Sequence, residues 1–195
     1  MSDADRDKWQ GMYESGRYEP RTQASPLLEE WLPRLPRGRA LDIACGVGRH
    51  ALRLAEAGYA VDAIDIAPAA LAIGRATAAG RGLAIDWQAA DIDAFDPPPG
   101  RYDVVVCARY VNRLLMPRLP TALTPGGWLL FEHHLRTSLE VNGPRDAGFR
   151  LAPNELLTAF PGLRVVHYRE QVITDPNGMR MAVAQLVACN GDAGL

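Results

Sequence analysis

The chain has 195 residues, which is the size of one ordinary domain with a substantial buried core. Its 21 Lys and Arg and 23 Asp and Glu give a net charge of -2, so no overall electropositive surface is available to hold a nucleic acid. The longest apolar run, Val104 to Ala108, is far too short to span a bilayer, and the polar amino terminus shows no targeting segment. We expect a single domain, residues 1–195, with neither a membrane nor a nucleic-acid partner.

The three cysteines, Cys45, Cys107 and Cys189, lie far apart, and two of them stand inside apolar runs. This usage is typical of buried, reduced thiols and predicts a cytoplasmic protein. We expect no metal site, and the sequence does not indicate an oligomeric state.

The first 36 residues predict a helical and aromatic cap. They hold the stretch "WQGMYESGRY" and then a helix start at "SPLLEEWL", where Ser25 can cap the helix and Pro26 suits its first turn.

From Arg39 onward, apolar runs alternate with helical stretches. The predicted strands are 39–43, 59–64, 83–88, 102–107 and 127–133, and the predicted helices are 48–57, 68–79 and, interrupted by two prolines, about 111–123. This alternation predicts an α/β fold with a mainly parallel sheet covered by helices on both faces.

The end of the chain has a different pattern. Two strand-like runs flank Asp175-Pro176-Asn177-Gly178, a turn sequence that predicts an antiparallel hairpin. We divide the chain into the cap (1–36), a cofactor-binding core (37–135), a possible lid (136–152) and a carboxyl-terminal helix with the hairpin (153–195).

The stretch "LDIACGVGRHA", residues 41–51, joins the first strand to a helix through two closely spaced glycines. Such a turn brings bare backbone and the amides of a helix start close to a ligand. A nucleoside triphosphate would require a longer loop ending in Lys and Ser or Thr, and a dinucleotide would require G-x-G-x-x-G, of which only Gly46 is present.

The carboxylates at the strand ends favour another ligand. Asp42 suits a positively charged amine, Asp65 is placed to accept from a ribose diol, and Asp91 can accept from the adenine amine. A ligand with an ammonium group, a ribose and an adenine but no phosphate is S-adenosylmethionine. The residues themselves therefore favour this cofactor, although an acidic residue at a strand end is also often a turn or helix cap.

The ordered motifs "ALDIACGVGRHALRLAEAGYAVDAIDIAPAAL", "AADI", "YDVVVCARY" and "LTPGGWLLFE" resemble those of the class I S-adenosylmethionine-dependent methyltransferases. The opening aromatics and the stretch "NGPRDAGFRLAPNELLTAFPGLRVVHYRE" resemble the small tellurite-resistance-type members. The resemblance implies a Rossmann-like, seven-stranded sheet whose last strands form the antiparallel hairpin. It also implies a cofactor site made of Asp42, Ala44, Gly46, Gly48, Asp65, Ile66, Asp91, Ile92 and the backbone at Ala108. Ala44 stands where the family has its first glycine.

The acceptor of the methyl group is expected beyond the fourth and fifth strands. The candidate residues there are Arg109, Tyr110, Arg113, His133, His134 and Arg145, of which Arg109 and Arg113 suit an anionic acceptor. Each has a structural alternative: a solvated arginine, a packed tyrosine or a satisfied histidine. His133 and His134 are adjacent on a strand and should point to opposite faces, so at most one reaches the pocket.

Three functions remain open at this point. The first is a methyltransferase for a small thiol or chalcogen anion, the second is a small-molecule O- or N-methyltransferase, and the third is a non-catalytic cofactor-binding module. The segment after the fourth strand, "CARYVNR", lacks the Asn-Pro-Pro-Tyr or Asp-Pro-Pro-Tyr typical of nucleobase amine methylation.

Overall fold

A computed structural model describes residues 3–192. The strands in chain order are β1 (Arg39–Ile43), β2 (Ala60–Asp65), β3 (Ile85–Ala89), β4 (Tyr102–Ala108), β5 (Leu123–His134), β6 (Arg164–Thr174) and β7 (Arg180–Cys189). The helices are α1 (Asp3–Glu14), α2 (Pro26–Trp31), α3 (Arg49–Glu56), α4 (Pro68–Gly80), α5 (Leu119–Ala122) and α6 (Glu155–Ala159).

All seven strands form one sheet in the order β3-β2-β1-β4-β5-β7-β6. Strands β1 to β5 pair in parallel, and β7 pairs antiparallel with both β5 and β6. The predicted Rossmann-like sheet and its carboxyl-terminal hairpin are therefore confirmed, with the turn at residues 175–178 between β6 and β7.

Successive residues of the central strands feed two apolar cores, one on each face of the sheet. Ala40 of β1 packs with side chains of α2, α3 and α4, whereas Leu41 packs with those of α5 and α6. This alternation follows from the two-residue period of a strand. Ser25 caps α2 as predicted, because its hydroxyl accepts a hydrogen bond from Leu28 N at 3.3 Å.

One predicted element is wrong. The helix expected over 111–123 is reduced to a 3-10 turn at Met116–Arg118 and the four residues of α5, and β5 begins at Leu123 instead of 127. Pro117 and Pro120 stand inside the predicted helix, and each lacks the N–H that a helix interior requires. The helix therefore ends sooner, and β5 begins earlier in the chain than predicted.

The strand order locates the ligand-binding edge. After β1 the chain moves to β2 and β3 on one side, and β4 then returns to the other side of β1. A crevice forms outside the carboxyl ends of strands at such a switch point, and open α/β sheets bind ligands there.

Candidate cofactor and acceptor site

A cavity lies at the carboxyl ends of β1, β2 and β4, with about 750 Å³ of empty space that includes its opening to solvent. Its wall contains the turn after β1, the residues that end β2 and β4, and aromatic side chains from the amino-terminal segment. The lining residues that matter below are Trp9, Tyr13, Tyr18, Arg21, Ala44, Gly46, Arg49, His50, Asp65, Ile66, Ala108, Arg109 and Tyr110.

The glycine turn after β1 has a left-handed backbone at three positions. Ala44, Gly46 and Gly48 have φ values of 53°, 58° and 78°. A β-carbon on Gly46 would lie 3.0 Å from the Tyr13 hydroxyl, whereas one on Gly48 would lie 2.2 Å from the Trp87 ring. The absence of a side chain at Gly46 therefore keeps the turn close to the cavity, and at Gly48 it makes room for Trp87.

Asp42 lies beneath the turn and is only 1% exposed. Its Oδ2 accepts a hydrogen bond from Ala51 N at 2.9 Å, so in this structure it caps the first turn of α3. Burial raises the pKa of Asp42 to about 7, and the Ala51 hydrogen bond and the nearby Arg49 lower it in part. Asp42 does not line the cavity wall, and its contact with the cofactor amine stays a prediction.

Asp65 ends β2 and lines the cavity. Its Oδ2 accepts from Gly46 N at 2.8 Å and its Oδ1 accepts from Ala67 N at 2.9 Å. Burial raises its pKa, and the hydrogen bonds from backbone amides lower it. One carboxylate thus joins the turn after β1 to the turn after β2, beside Ile66 in the cavity wall.

The remaining predicted cofactor residues are placed differently. Asp91 is exposed and its Oδ1 accepts from Asp93 N at 2.9 Å, which is a local turn. Ile92 is fully buried in the apolar core, whereas Ala108 lines the cavity at the end of β4.

The amino-terminal aromatics cover the glycine turn. The Tyr18 ring makes edge contacts with Trp9 and Tyr13 at 5.8 and 5.3 Å between centroids, and Trp9 and Tyr13 pack on Val47 and residues of α4. Gln10 of α1 accepts a hydrogen bond from Ala69 N at 3.0 Å, which ties α1 to the start of α4. The cap predicted from the sequence therefore forms one wall of the cavity.

Arg109 follows β4 with a φ of 66°, an uncommon angle for a residue with a side chain. Its Nη2 lies 3.0 Å from Glu132 Oε1, but its Nε and Nη1 are buried and have no hydrogen-bond partner among the described residues. Burial lowers the pKa of Arg109, and Glu132 raises it in part.

Tyr110, Arg113 and Arg145 are not equivalent in the structure. Tyr110 lines the cavity and its hydroxyl donates to Asp93 Oδ1 at 2.8 Å. Arg113 pairs with Glu155 at 2.7 Å and also donates to the carbonyls of Gly148 and Arg150, so it holds the segment after β5. Arg145 is exposed and does not line the cavity.

His133 and His134 do not point to opposite faces as their positions on the strand predicted. Their ring centroids are 5.5 Å apart in an edge contact at the end of β5. His133 Nε2 contacts Phe149 O at 2.9 Å, and the Nδ1 atoms of both rings are buried without a hydrogen-bond partner among residues 3–192. Burial lowers the pKa of His133 to about 4 and that of His134 to about 3, so both rings are neutral at pH 7.

The sequence analysis missed four polar residues of this region. Arg49 Nη1 donates to Gln23 O at 3.2 Å, and burial and Arg109 lower its pKa to about 10, so Arg49 keeps its charge at neutral pH. Arg21 pairs with Asp175 at 2.6 Å, and His50 Nε2 accepts from Ser25 N at 3.3 Å. Glu132 is 1% exposed. Arg49 and His50 follow the glycine motif directly, which was the available signal for them.

The described residues fit S-adenosylmethionine. Asp65 offers acceptor oxygens at the end of β2, as a ribose requires, and aromatic faces and bare backbone line the rest of the cavity. Among residues 3–192, no group of three or more His, Cys, Asp or Glu could hold a metal ion. No helix in the same residues is long and apolar enough to cross a bilayer.

The fold and the cavity together define a Rossmann-like α/β domain that binds a cofactor at the carboxyl ends of its strands. A family model described as a methyltransferase domain matches residues 40–127. A ubiquinone biosynthesis O-methyltransferase of Methylocella silvestris is 32% identical in an alignment of 178 positions that covers 79% of this chain and 70% of that protein. The chain belongs to the class I S-adenosylmethionine-dependent methyltransferases, whose cofactor is S-adenosylmethionine.

Two further matches show how far the similarity extends. A ubiquinone biosynthesis O-methyltransferase of Azotobacter vinelandii is 31% identical over 58% of this chain and 53% of that protein, so the chain spans about half the length of such curated relatives. The crystal structure of TehB from Haemophilus influenzae superposes with a TM-score of 0.69 and 26% identity, over 92% of this chain and 66% of that one.

Proposed function

We propose that this chain is an S-adenosylmethionine-dependent methyltransferase whose acceptor is a small molecule that carries a negative charge, such as a thiolate or a chalcogen anion. The observation that carries the proposal is the cluster of Arg21, Arg49 and Arg109 in the wall of the cofactor cavity. Arg109 in particular keeps two buried N–H-bearing nitrogens without a partner among the described residues. Donors of this kind favour an anionic ligand.

Asp65, the carboxylate that lines the cavity, and Arg109 lie at the ends of different strands. Asp65 stands at the end of β2 beside the glycine turn, where it supports binding of the cofactor, while Arg109 follows β4. When bound, the cofactor supplies a methyl group on a sulfonium sulfur, and it leaves as S-adenosylhomocysteine once a lone pair of the acceptor has taken the methyl group. The protein's part is to orient the acceptor, hold its charge and exclude water.

An acceptor that is already an anion needs no general base. Of the histidines, only His50 lines the described cavity, and its Nε2 already accepts a hydrogen bond from Ser25 N. His133 and His134 are buried outside the cavity wall. This arrangement supports a soft, anionic acceptor over a neutral hydroxyl group.

A small-molecule O-methyltransferase is the second candidate. The name of the Methylocella silvestris relative, ubiquinone biosynthesis O-methyltransferase, favours it. The Nδ1 of His133, which has no hydrogen-bond partner in the part of the chain that the structure describes, is a nitrogen that could take the proton of a hydroxyl group if the segment after β5 moved.

The test has two parts. Calorimetry should show S-adenosylmethionine binding by the parent chain and an affinity about 10- to 150-fold lower in Asp65→Ala, the loss expected for a charge-assisted hydrogen bond. Release of S-adenosylhomocysteine is then measured over thiols, chalcogen anions, phenols and amines. Cofactor binding without turnover on any acceptor would contradict the proposed activity and leave a binding module.

His133→Gln and His134→Gln distinguish the two acceptor classes. For an anionic acceptor, we expect turnover within about tenfold of the parent, because a positioned base typically contributes about 10² to 10⁴ in rate and none is needed here. A loss of a thousandfold or more in one variant, with cofactor affinity intact, would identify the O-methyltransferase instead.

A further inference from the structure

A chain of buried polar side chains runs across three strands toward Arg109. Gln171 on β6 donates from Nε2 to Gln185 Oε1 on β7 at 2.8 Å, and the Gln185 amide donates to Glu132 Oε2 on β5. Glu132 and Gln185 are 1% and 4% exposed and stand opposite each other in the β5–β7 ladder. The Gln171 contact determines which end of the Gln185 amide faces Glu132, so the carboxylate is held in one orientation.

Glu132 contacts Arg109 twice. Its carbonyl accepts from Arg109 N at 2.9 Å, and its Oε1 lies 3.0 Å from Arg109 Nη2, within ion-pair distance but outside hydrogen-bond geometry. The pair is thus close but incompletely hydrogen-bonded, and Arg109 Nε and Nη1 have no described partner. An arrangement made only for stability would use these donors, because an unsatisfied buried donor is costly.

We propose that Glu132, oriented by Gln185, is a positioning residue that holds the Arg109 guanidinium so that its unpaired N–H groups receive the anionic group of the acceptor. This inference rests on the proposed function, because it assigns a place to the acceptor of that reaction. The left-handed backbone at Arg109 agrees with it, since strain of this kind collects at binding sites.

Sulfate is a suitable probe, because it is an inert oxyanion and it reports on this site without turnover. Its affinity is measured by calorimetry on the full chain at constant ionic strength, with chloride as the balancing salt. We expect the parent to bind sulfate and Arg109→Gln to bind it about 10- to 150-fold more weakly, the loss of a charge-assisted hydrogen bond. Arg118→Gln is the matched control, since Arg118 pairs with Asp96 at 2.5 Å outside the cavity wall, and it should bind sulfate as the parent does.

Two variants test the positioning role itself. Gln185→Met changes no charge but releases Glu132, and we expect it to weaken sulfate binding about 2- to 10-fold, the lower part of the range for coupled neighbours. Glu132→Gln keeps the shape but leaves a single amide oxygen, which cannot accept from Arg109 and from the Gln185 amide at once, so the Arg109 guanidinium loses its fixed partner and sulfate should bind more weakly than in the parent. A structural role for Glu132 alone would lower the stability of both variants and leave their sulfate affinities unchanged.

Absence of sulfate binding in the parent, or equal binding in the parent and Arg109→Gln, would overturn the inference. Unchanged sulfate affinity in folded Gln185→Met would also contradict the positioning role of Glu132. Gln185→Met therefore still tests this role if Glu132→Gln does not fold. If sulfate binding follows the expected pattern but no acceptor is methylated, the proposed function fails and the anion site remains. If acceptors are methylated without any role of Arg109 in sulfate binding, the proposed function remains and this inference fails.

Discussion

Ala44 and Arg109 both have left-handed backbone angles, and both line the cavity at the ends of neighbouring strands. A side chain makes this conformation unfavourable by roughly 1–2 kcal/mol. The family position of Ala44 is normally glycine, as the resemblance of the motif implies. An alanine suits such a position only if its backbone angles are ordinary, and the φ of 53° at Ala44 does not meet that condition.

We therefore predict that Ala44→Gly raises the free energy of unfolding by up to about 1 kcal/mol, after the extra freedom of glycine in the unfolded chain is subtracted. Urea unfolding measures the change. Ala76→Gly is the matched control, because Ala76 is an exposed residue in the interior of α4, and this variant should lose about 0.5–1 kcal/mol. Equal destabilisation by both changes would show that the turn stores no strain at Ala44.

Asp42 is predicted to make stability depend on pH. Its pKa is about 7 in the folded chain and near its ordinary 3.8 in the unfolded chain. Between these values the folded state binds more protons, so the contribution of Asp42 to stability falls as pH rises from about 4 to about 7. Asp42→Asn removes this loss and retains an oxygen that can accept from Ala51 N.

The expected result for Asp42→Asn is a stability gain over the parent that is larger at pH 8 than at pH 5, by an amount on the order of a few kcal/mol. Urea unfolding of both proteins at the two pH values provides the comparison. If the stability difference between Asp42→Asn and the parent stays constant with pH, burial does not raise the pKa of the Asp42 carboxyl.

Arginine side chains fix the segment that follows β5 through hydrogen bonds to its backbone. Arg113 bridges to Glu155 and to the carbonyls of Gly148 and Arg150, and Arg150 itself donates to the carbonyls of Pro144 and Leu135. In this structure, hydrogen bonds and an ion pair therefore hold the segment 136–152, which was predicted as a lid, against the rest of the chain. Whether it opens stays a prediction.

Arg113→Gln should loosen this segment. Thermolysin cleavage between residues 136 and 150, where Leu139 and Phe149 are exposed, is expected to accelerate about three- to tenfold, because several bonds of a half-exposed cation are lost. Arg53→Gln, which breaks the surface pair with Glu29, serves as the control and should not change cleavage there. Equal cleavage rates in the parent and Arg113→Gln would show that Arg113 does not hold the segment.

For the whole molecule, a net charge of -2 predicts weak contact with nucleic acids at most. The arginines that line the cavity do not change this expectation, because Arg21 is paired and Arg49 and Arg109 are largely buried. A filter-binding titration with RNA and DNA at physiological salt is the measurement. Submicromolar binding with a steep salt dependence would contradict the prediction and revive nucleic-acid methylation.

The local pattern of the sequence was sufficient for the sheet, its hairpin and the cofactor. Apolar runs of strand length alternating with helical stretches leave few parallel arrangements, and the turn at 175–178 is encoded by four adjacent residues. The glycine turn and Asp65 are also read locally, because each stands at a strand end that the pattern already marks. Each of these features is determined by residues that lie close together in the sequence.

The arrangement around Arg109 was decided only by the tertiary structure. Arg109 follows β4, Glu132 lies on β5 and Gln185 lies on β7, which stand side by side in the sheet, and no periodicity in the sequence relates these residues. Arg109 and Arg113 look alike in sequence, yet one is buried at the cavity and the other ties down a segment of the surface. The difference arises because burial and pairing depend on which strands become adjacent, and this is a property of the folded sheet rather than of any stretch of the chain.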